Sequence, residues 1–201
     1  MKVKRFDMSE YKEKHTVSRL IGSPPGYVGH EQGGLLTDAL DNNPYTVLLL
    51  DEIEKAHPDI YDILLQVTDN GMLTDTSGKE VSFRNAIIIM TTNAGAADAE
   101  KRKAGFGGGL HDGARDKAIQ KLFKPEFRNR IDEIVQFSAL KPATMGKIVD
   151  KFIAQLNERL VEQDVKMTLT DKARTWLSTE GYDEKMGARP AARLIEQSIA
   201  Q

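Results

Sequence analysis

Two adjacent carboxylates at the end of an apolar run offer the clearest chemistry in this chain. Val47-Leu48-Leu49-Leu50 leads directly into Asp51-Glu52. In open α/β sheets, ligands bind beyond the carboxyl ends of the strands. An Asp at that place can hold the hydration shell of Mg²⁺, which keeps most of its waters and prefers carboxylate oxygen. The neighbouring Glu can orient and activate a water for attack on a phosphoryl group. Asp and Glu also follow strands simply because they start a helix favourably, and on this pattern alone the two readings stand level. A second apolar run, Ala86-Ile87-Ile88-Ile89-Met90, ends in Thr91-Thr92-Asn93. A neutral hydrogen-bonding group there could hold an attacking water beside Glu52; a plain polar turn at a strand end is the alternative.

The elements that must position these residues follow from periodicity. Both runs are short, continuous and apolar, as expected of parallel strands covered by helices. Val3 to Phe6 and Ile134 to Phe137 are candidates for two more strands. Between the two main runs, Pro58 suits a first helical position. Ile60, Ile63, Leu64 and Val67 then form one apolar stripe, and Gly71 is a natural stop. Strand, helix, strand predicts a parallel sheet. Residues 94–113 read as a loop rich in glycine, with Lys101-Arg102-Lys103 at its centre. Leu140-Lys141-Pro142 is a plausible boundary. Beyond it, Met145 to Leu160 reads as a long amphipathic helix, and Val165 to Leu169 as a short strand. Thr170 suits the cap of a helix carrying Ala173, Trp176 and Leu177 and ending at Gly181. A last helix carries Leu194, Ile195 and Ile199. The expected architecture is a mixed α/β part over residues 1–140 and a mostly helical part over 141–201.

Composition excludes several classes. The 201 residues are 40% hydrophobic and 29% charged, with a net charge of -2. That balance suits a folded domain and gives no basic field for nucleic acid. Cysteine is absent, so neither disulfides nor thiolate chemistry are available. No apolar run approaches the ~20 residues of a membrane span. The four histidines, His15, His30, His57 and His111, show no metal-ligand spacing.

Several motifs in order resemble the Clp family of AAA+ protein unfoldases. They are Asp7-Met8-Ser9-Glu10-Tyr11, His15 to Gly22, Pro24-Pro25-Gly26-Tyr27-Val28-Gly29, Leu50 to His57, Thr91 to Gly95, Pro125 to Arg130 and Gly187-Ala188-Arg189-Pro190. Gln32 to Thr37 and Thr92-Asn93-Ala94-Gly95 are most similar to the ClpA branch, in its second ATPase module. The resemblance implies a P-loop NTPase (AAA+) sheet with helices on both faces and a helical small domain. It implies ATP and Mg²⁺ as cofactors and a cytoplasmic, hexameric ring of identical subunits. Asp51 would be the Walker B aspartate, holding Mg²⁺ through water, and Glu52 the catalytic glutamate. Asn93 resembles the sensor that positions the lytic water. Arg130 is similar to the arginine finger offered to the neighbouring subunit. Arg189 resembles the second sensor, which contacts nucleotide. Gly26, Tyr27, Val28 and Gly29 would form the pore loop that grips unfolded or tagged substrate proteins. Ala104-Gly105-Phe106 would be the loop that docks on a Clp-type peptidase.

The pattern breaks in two places. A phosphate-binding loop needs Gly-x-x-x-x-Gly-Lys followed by Ser or Thr. Gly78-Lys79 and Gly146-Lys147 are the only Gly-Lys pairs, and Glu80 and Ile148 follow them. The expectation is an incomplete module that begins after that loop and has no independent hydrolysis. Losing the strand that feeds the loop is expected to leave apolar strand edges uncovered. Ala104 also stands where the peptidase-docking loop has a larger branched residue. Three functions therefore remain open. The first is an ATP-driven unfoldase that threads proteins to a peptidase. The second is a non-catalytic fragment that joins or inhibits full-length rings. The third is a disaggregase-type relative with no peptidase.

Overall fold

The computed structural model describes residues 1–22, 33–94, 112–138, 140–183 and 186–199. The chain divides into two compact units, Met1–Glu133 and Ile134–Gln201. The pore-loop candidates Gly26 to Gly29 and the docking-loop candidates Ala104 to Phe106 lie outside the described residues.

The first unit is built on three parallel strands. They are β1 (Lys2–Asp7), β2 (Thr46–Asp51) and β5 (Ile87–Met90), in the order β1-β2-β5. The register places Asp7 beside Asp51 and Leu50 beside Met90. Around them lie α1 (Lys14–Ile21), α2 (Leu35–Asn42), α3 (Pro58–Asn70), α4 (Asp112–Leu122) and the short α5 (Pro125–Arg128). β2 is flanked on both sides, and its alternation shows in its burial. Thr46, Leu48 and Leu50 are buried, while Val47 and Leu49 are half-buried. Leu48 and Leu50 share a core with Phe6, Ile53, Ile60, Leu64 and Phe127. At the edge, Ile87 and Ile89 of β5 are half-exposed.

Helix α3 follows its sequence signals. Pro58 opens it, and the His57 ring nitrogen accepts the Asp59 N–H. Ile60, Ile63, Leu64 and Val67 are its buried stripe. Gly71 closes it at φ 64°, donating its N–H to the Val67 carbonyl. A side chain at that left-handed position would be strained.

Three details differ from expectation. A small antiparallel hairpin, β3 (Met72–Thr74) with β4 (Glu80–Ser82), follows α3. It is too short for periodicity to announce. Its turn is organised by one side chain, since Asp75 Oδ1 accepts the Ser77 N–H, the Ser77 hydroxyl and the Lys79 N–H at 2.8, 2.6 and 2.9 Å. The run Ile134 to Phe137 is not a strand. A strand exists only where a neighbour supplies its ladder, and none of the three parallel strands pairs with this run. Phe137 is 84% exposed. Val165 to Leu169 is also not a strand. There the Asn157 side chain takes the place of a neighbouring strand, donating to the Met167 carbonyl at 2.9 Å and accepting the Met167 N–H at 2.7 Å.

Among its described residues, the second unit packs three helices. They are α6 (Met145–Leu160), α7 (Asp171–Glu180) and α8 (Arg189–Ile199). Val149, Ile153 and Leu156 meet Leu177 and Ile195 in its core. Thr170 caps α7 by accepting the Ala173 N–H at 3.3 Å. Trp176 of this helix is half-exposed, and Leu177 is its buried residue. An Arg174 fork onto Asp150, at 2.7 and 2.6 Å, ties α7 to α6.

Asp75 is 7% exposed. Burial pushes its carboxyl up, and the Ser77 and Lys79 donors outweigh that, leaving it below the ordinary 3.8. A group lowered in the folded state stabilises fully above its unfolded value. That contribution disappears as pH falls through the folded one. Asp75→Ala is expected to lower the unfolding free energy by about 2 kcal/mol at pH 7, because several donors lose a charged acceptor. In urea titrations the gap between the two proteins should persist down to about pH 4 and close below it. Equal stability at pH 7 would show that the turn forms without the carboxylate.

Candidate nucleotide-site carboxylates and their frame

Because β1, β2 and β5 are parallel, their carboxyl ends lie side by side. This brings Asp7, Asp51 and Thr91 to one edge of the sheet. Thr91 is the joint between strands. Its N–H donates to the Leu50 carbonyl at 3.0 Å, and its carbonyl accepts the Ile53 N–H at 3.0 Å. Its hydroxyl accepts the Glu52 N–H at 3.2 Å and donates to Asp51 Oδ1. Arg5, on the adjacent strand, donates through Nε to Asp51 Oδ2 at 3.1 Å and also through its terminal nitrogen. Both carboxylate oxygens of Asp51 are therefore held. The Thr91 hydroxyl and then the Arg5 guanidinium keep its carboxyl below the usual range. Asp51 is ionised at neutral pH.

Glu52 has left-handed backbone, φ 56° and ψ 49°. For a residue with a Cβ this costs about 1–2 kcal/mol. It persists because the residues on either side are tied down. Asp51 ends the strand, and the Ile53 N–H is bonded to Thr91. The Ile53 carbonyl accepts the Tyr61 hydroxyl at 2.7 Å. Lys55 donates to Glu52 Oε2 at 2.5 Å, between two partly exposed side chains. One turn on, Glu54 has a buried Oε2 without a hydrogen-bond partner, and its Oε1 lies 3.5 Å from the Asn93 N–H. The Asn93 backbone is thus brought close to the turn that follows the acidic pair.

Tyr61 also joins a second group. Its ring meets Phe123 and Phe127 edge-on, at 5.7 and 6.0 Å, and those two rings stack at 5.1 Å. Burial and the nearby Glu54 push its hydroxyl up to about 12. Phe127 anchors the turn that carries Arg130. The Arg130 guanidinium pairs with Asp69 at the far end of α3, at 2.6 Å. Arg130 is thus held at the end of α3 opposite Tyr61. Arg189 is exposed, at the first position of α8, in the second unit.

No cluster of three or more acidic, His or Cys residues among the described residues could hold a metal alone. One accessible, ionised Asp suits Mg²⁺ that arrives with phosphates and keeps its waters. The sequence reading missed Arg5 and Tyr61, and it took Thr91 as part of the polar strand end without its bond to Asp51. Arg5 and Asp7 share a face by the period of two along β1. The Thr91 bond could be found only through the register of β2 on β5.

The chain is similar to known proteins in sequence and in fold. Residues 1–134 match the model of the AAA domain (Cdc48 subfamily), and residues 140–201 match the C-terminal, D2-small domain of ClpB protein. A ClpA homolog protein of Fuscovulum blasticum is 55% identical over 195 residues, and the ClpC ATP-binding subunit of the ATP-dependent Clp protease from Staphylococcus aureus is 50% identical over 204. Each alignment covers 97% of this chain, which spans about a quarter, 25%, of those relatives. A closed-state cryo-EM reconstruction of Hsp104 with ATPγS and FITC casein superposes with a TM-score of 0.85 at 41% identity, over 98% of this chain and 34% of that one. With its acidic pair at the end of a central parallel strand and a helical unit after it, the chain belongs to the Clp-type AAA+ family.

Proposed function

We propose that this chain is part of the second ATPase module of a Clp-type unfoldase, which couples ATP hydrolysis to threading of substrate proteins through a ring. The observation that carries the reading is Glu52, held in a strained left-handed turn directly after a clamped, ionised Asp51. Strain of this kind is retained where the surroundings enforce it, and such places concentrate at functional sites. The 55% identical ClpA homolog and the ClpC subunit support it.

In this reading Asp51 holds the water shell of Mg²⁺, and Glu52 takes the proton from the attacking water. Asn93, whose backbone nitrogen lies 3.5 Å from Glu54 Oε1, orients that water. Bound Mg²⁺ and ATP would supply the electrophilic phosphoryl group and neutralise its charge. Arg130 reaches a neighbour's nucleotide, and Arg189 contacts nucleotide from the small domain. Tyr27, between Gly26 and Val28-Gly29, grips the substrate chain. These 201 residues hold no Gly-x-x-x-x-Gly-Lys loop, and the reading gives the isolated chain no turnover of ATP. We assign Ala104-Gly105-Phe106 to docking of a Clp-type peptidase in a cytoplasmic hexamer. If deleting Gly105 and Phe106 leaves peptidase binding intact, that assignment falls. Loss of binding would support it, and a ring that binds no Clp-type peptidase even with this loop intact would favour the disaggregase-type role.

Two results test the site. In the longer ring-forming protein, Glu52→Gln should retain nucleotide and lose hydrolysis by about 10² to 10⁴-fold, the usual weight of a general base. Turnover at the parental rate would remove Glu52 from the chemistry. In the isolated chain, Glu52→Gly should raise unfolding stability by about 0.5–1 kcal/mol, because glycine accepts the left-handed turn. Glu52→Ala should give no such gain. If the glycine variant is less stable in urea, the strain reading is wrong.

A further inference from the structure

We infer that Asp69 is a positioning residue for Arg130, and that α3 presents this arginine outward from the subunit. The inference rests on the reading of Arg130 as the group offered to a neighbouring nucleotide. It begins with a local conflict. Asp69 lies in the last turn of α3, one residue before Asn70 ends the helix and two before the Gly71 cap. The last turn of a helix carries exposed carbonyls and favours cations. No basic residue of α3 occupies that turn, and an Asp there opposes the dipole. Its carboxylate is instead bonded to Arg130 Nε at 2.6 Å.

The pair is partly exposed, with side chains 52% and 37% accessible. Such pairs contribute little to stability, so its effect lies in geometry. The turn carrying Arg130 is already fixed at its base. Phe127 is buried against Phe123 and Tyr61, and the Arg130 N–H donates to the Phe127 carbonyl at 3.0 Å. What remains free is the long side chain, which has several rotatable bonds. Tyr61 and Asp69 are eight residues apart on one helix, a rise of about 12 Å. The aromatic cluster seats the base of the finger, and Asp69 sets its tip. Nothing else among the described residues forms an ion pair with Arg130.

The test uses the longer ring-forming ATPase and a double-mutant cycle. Asp69→Asn should lower kcat about 10- to 100-fold, the usual effect of misplacing a reacting group. KM for ATP and the melting temperature should stay at parental values. Asp69→Glu should recover part of kcat. On an Arg130→Ala background, Asp69→Asn should cause no further loss, because the two act as one unit. If Arg130→Ala itself leaves kcat unchanged, the finger reading fails and this inference with it. If Arg130→Ala lowers kcat but Asp69→Asn does not, only the positioning role of Asp69 is overturned. Additive losses would also overturn it. Should Asp69→Asn lower the melting temperature, Asp69→Ser run through the same cycle decides between the outcomes.

Discussion

The alignment of three parallel strand ends is the constraint on which the rest of the first unit depends. Asp51 is useful only if Thr91 and Arg5 arrive at the same level, and that level is set by register. A slip of one residue would turn every side chain of β5 to the opposite face. Thr91 would then leave Asp51, and the Glu52 and Ile53 N–H groups would lose their acceptors. What prevents the slip is the apolar side of the same strands. Leu48 and Leu50 are buried with Phe6 and the stripe of α3. Burial of that order, about 25 cal/mol per Å² of apolar surface, greatly exceeds any one hydrogen bond at the site. The core therefore sets the geometry of the carboxylates, and the polar bonds refine it.

Helix α3 turns this fixed edge into a frame for two separate groups. Near its start, the Tyr61 hydroxyl holds the Ile53 carbonyl just after the strained Glu52. The same ring packs on Phe123 and Phe127, which seat the Arg130 turn. One rigid element thus touches the residue that follows the acidic pair and, at its other end, Arg130. A displacement of the Glu52 turn cannot leave Tyr61 unaffected without breaking the bond to Ile53. This contiguity is a structural fact. Energetic coupling through it is a separate property, read by double-mutant cycles.

Much of this was legible in sequence, for identifiable reasons. The two apolar runs, the stripe Ile60-Ile63-Leu64-Val67 and the Gly71 stop depend on local periodicity and backbone chemistry, and the structure has them. The acidic pair was legible because its place follows from the end of the run. The run Ile134 to Phe137 misled because apolar character does not make a strand without a ladder. Val165 to Leu169 misled because one Asn side chain satisfies the backbone that a strand would have paired. The β3–β4 hairpin escaped because its strands are three residues long and its turn rests on a single carboxylate. The bonds of Arg5 and Thr91 to Asp51 were hidden for a different reason. The two residues lie 46 and 40 residues from Asp51 in sequence, and only the assembled sheet makes them neighbours.

The assembled edge also gives the two adjacent carboxylates different surroundings. Asp51 is bonded through both oxygens to partners on the two flanking strands, and its proton affinity is lowered accordingly. Moving it would break bonds on both sides of β2. Glu52 is held by one flexible lysine three residues away, with both side chains more than a third exposed. Exposed pairs of this kind contribute little, so releasing Glu52 costs little. One carboxylate is thus built to stay still, and its neighbour to let go. A static charge suits the hydration shell of a cation, and a releasable carboxylate suits a base that must exchange its partner for a water. Environment, more than residue type, sets the two carboxylates apart.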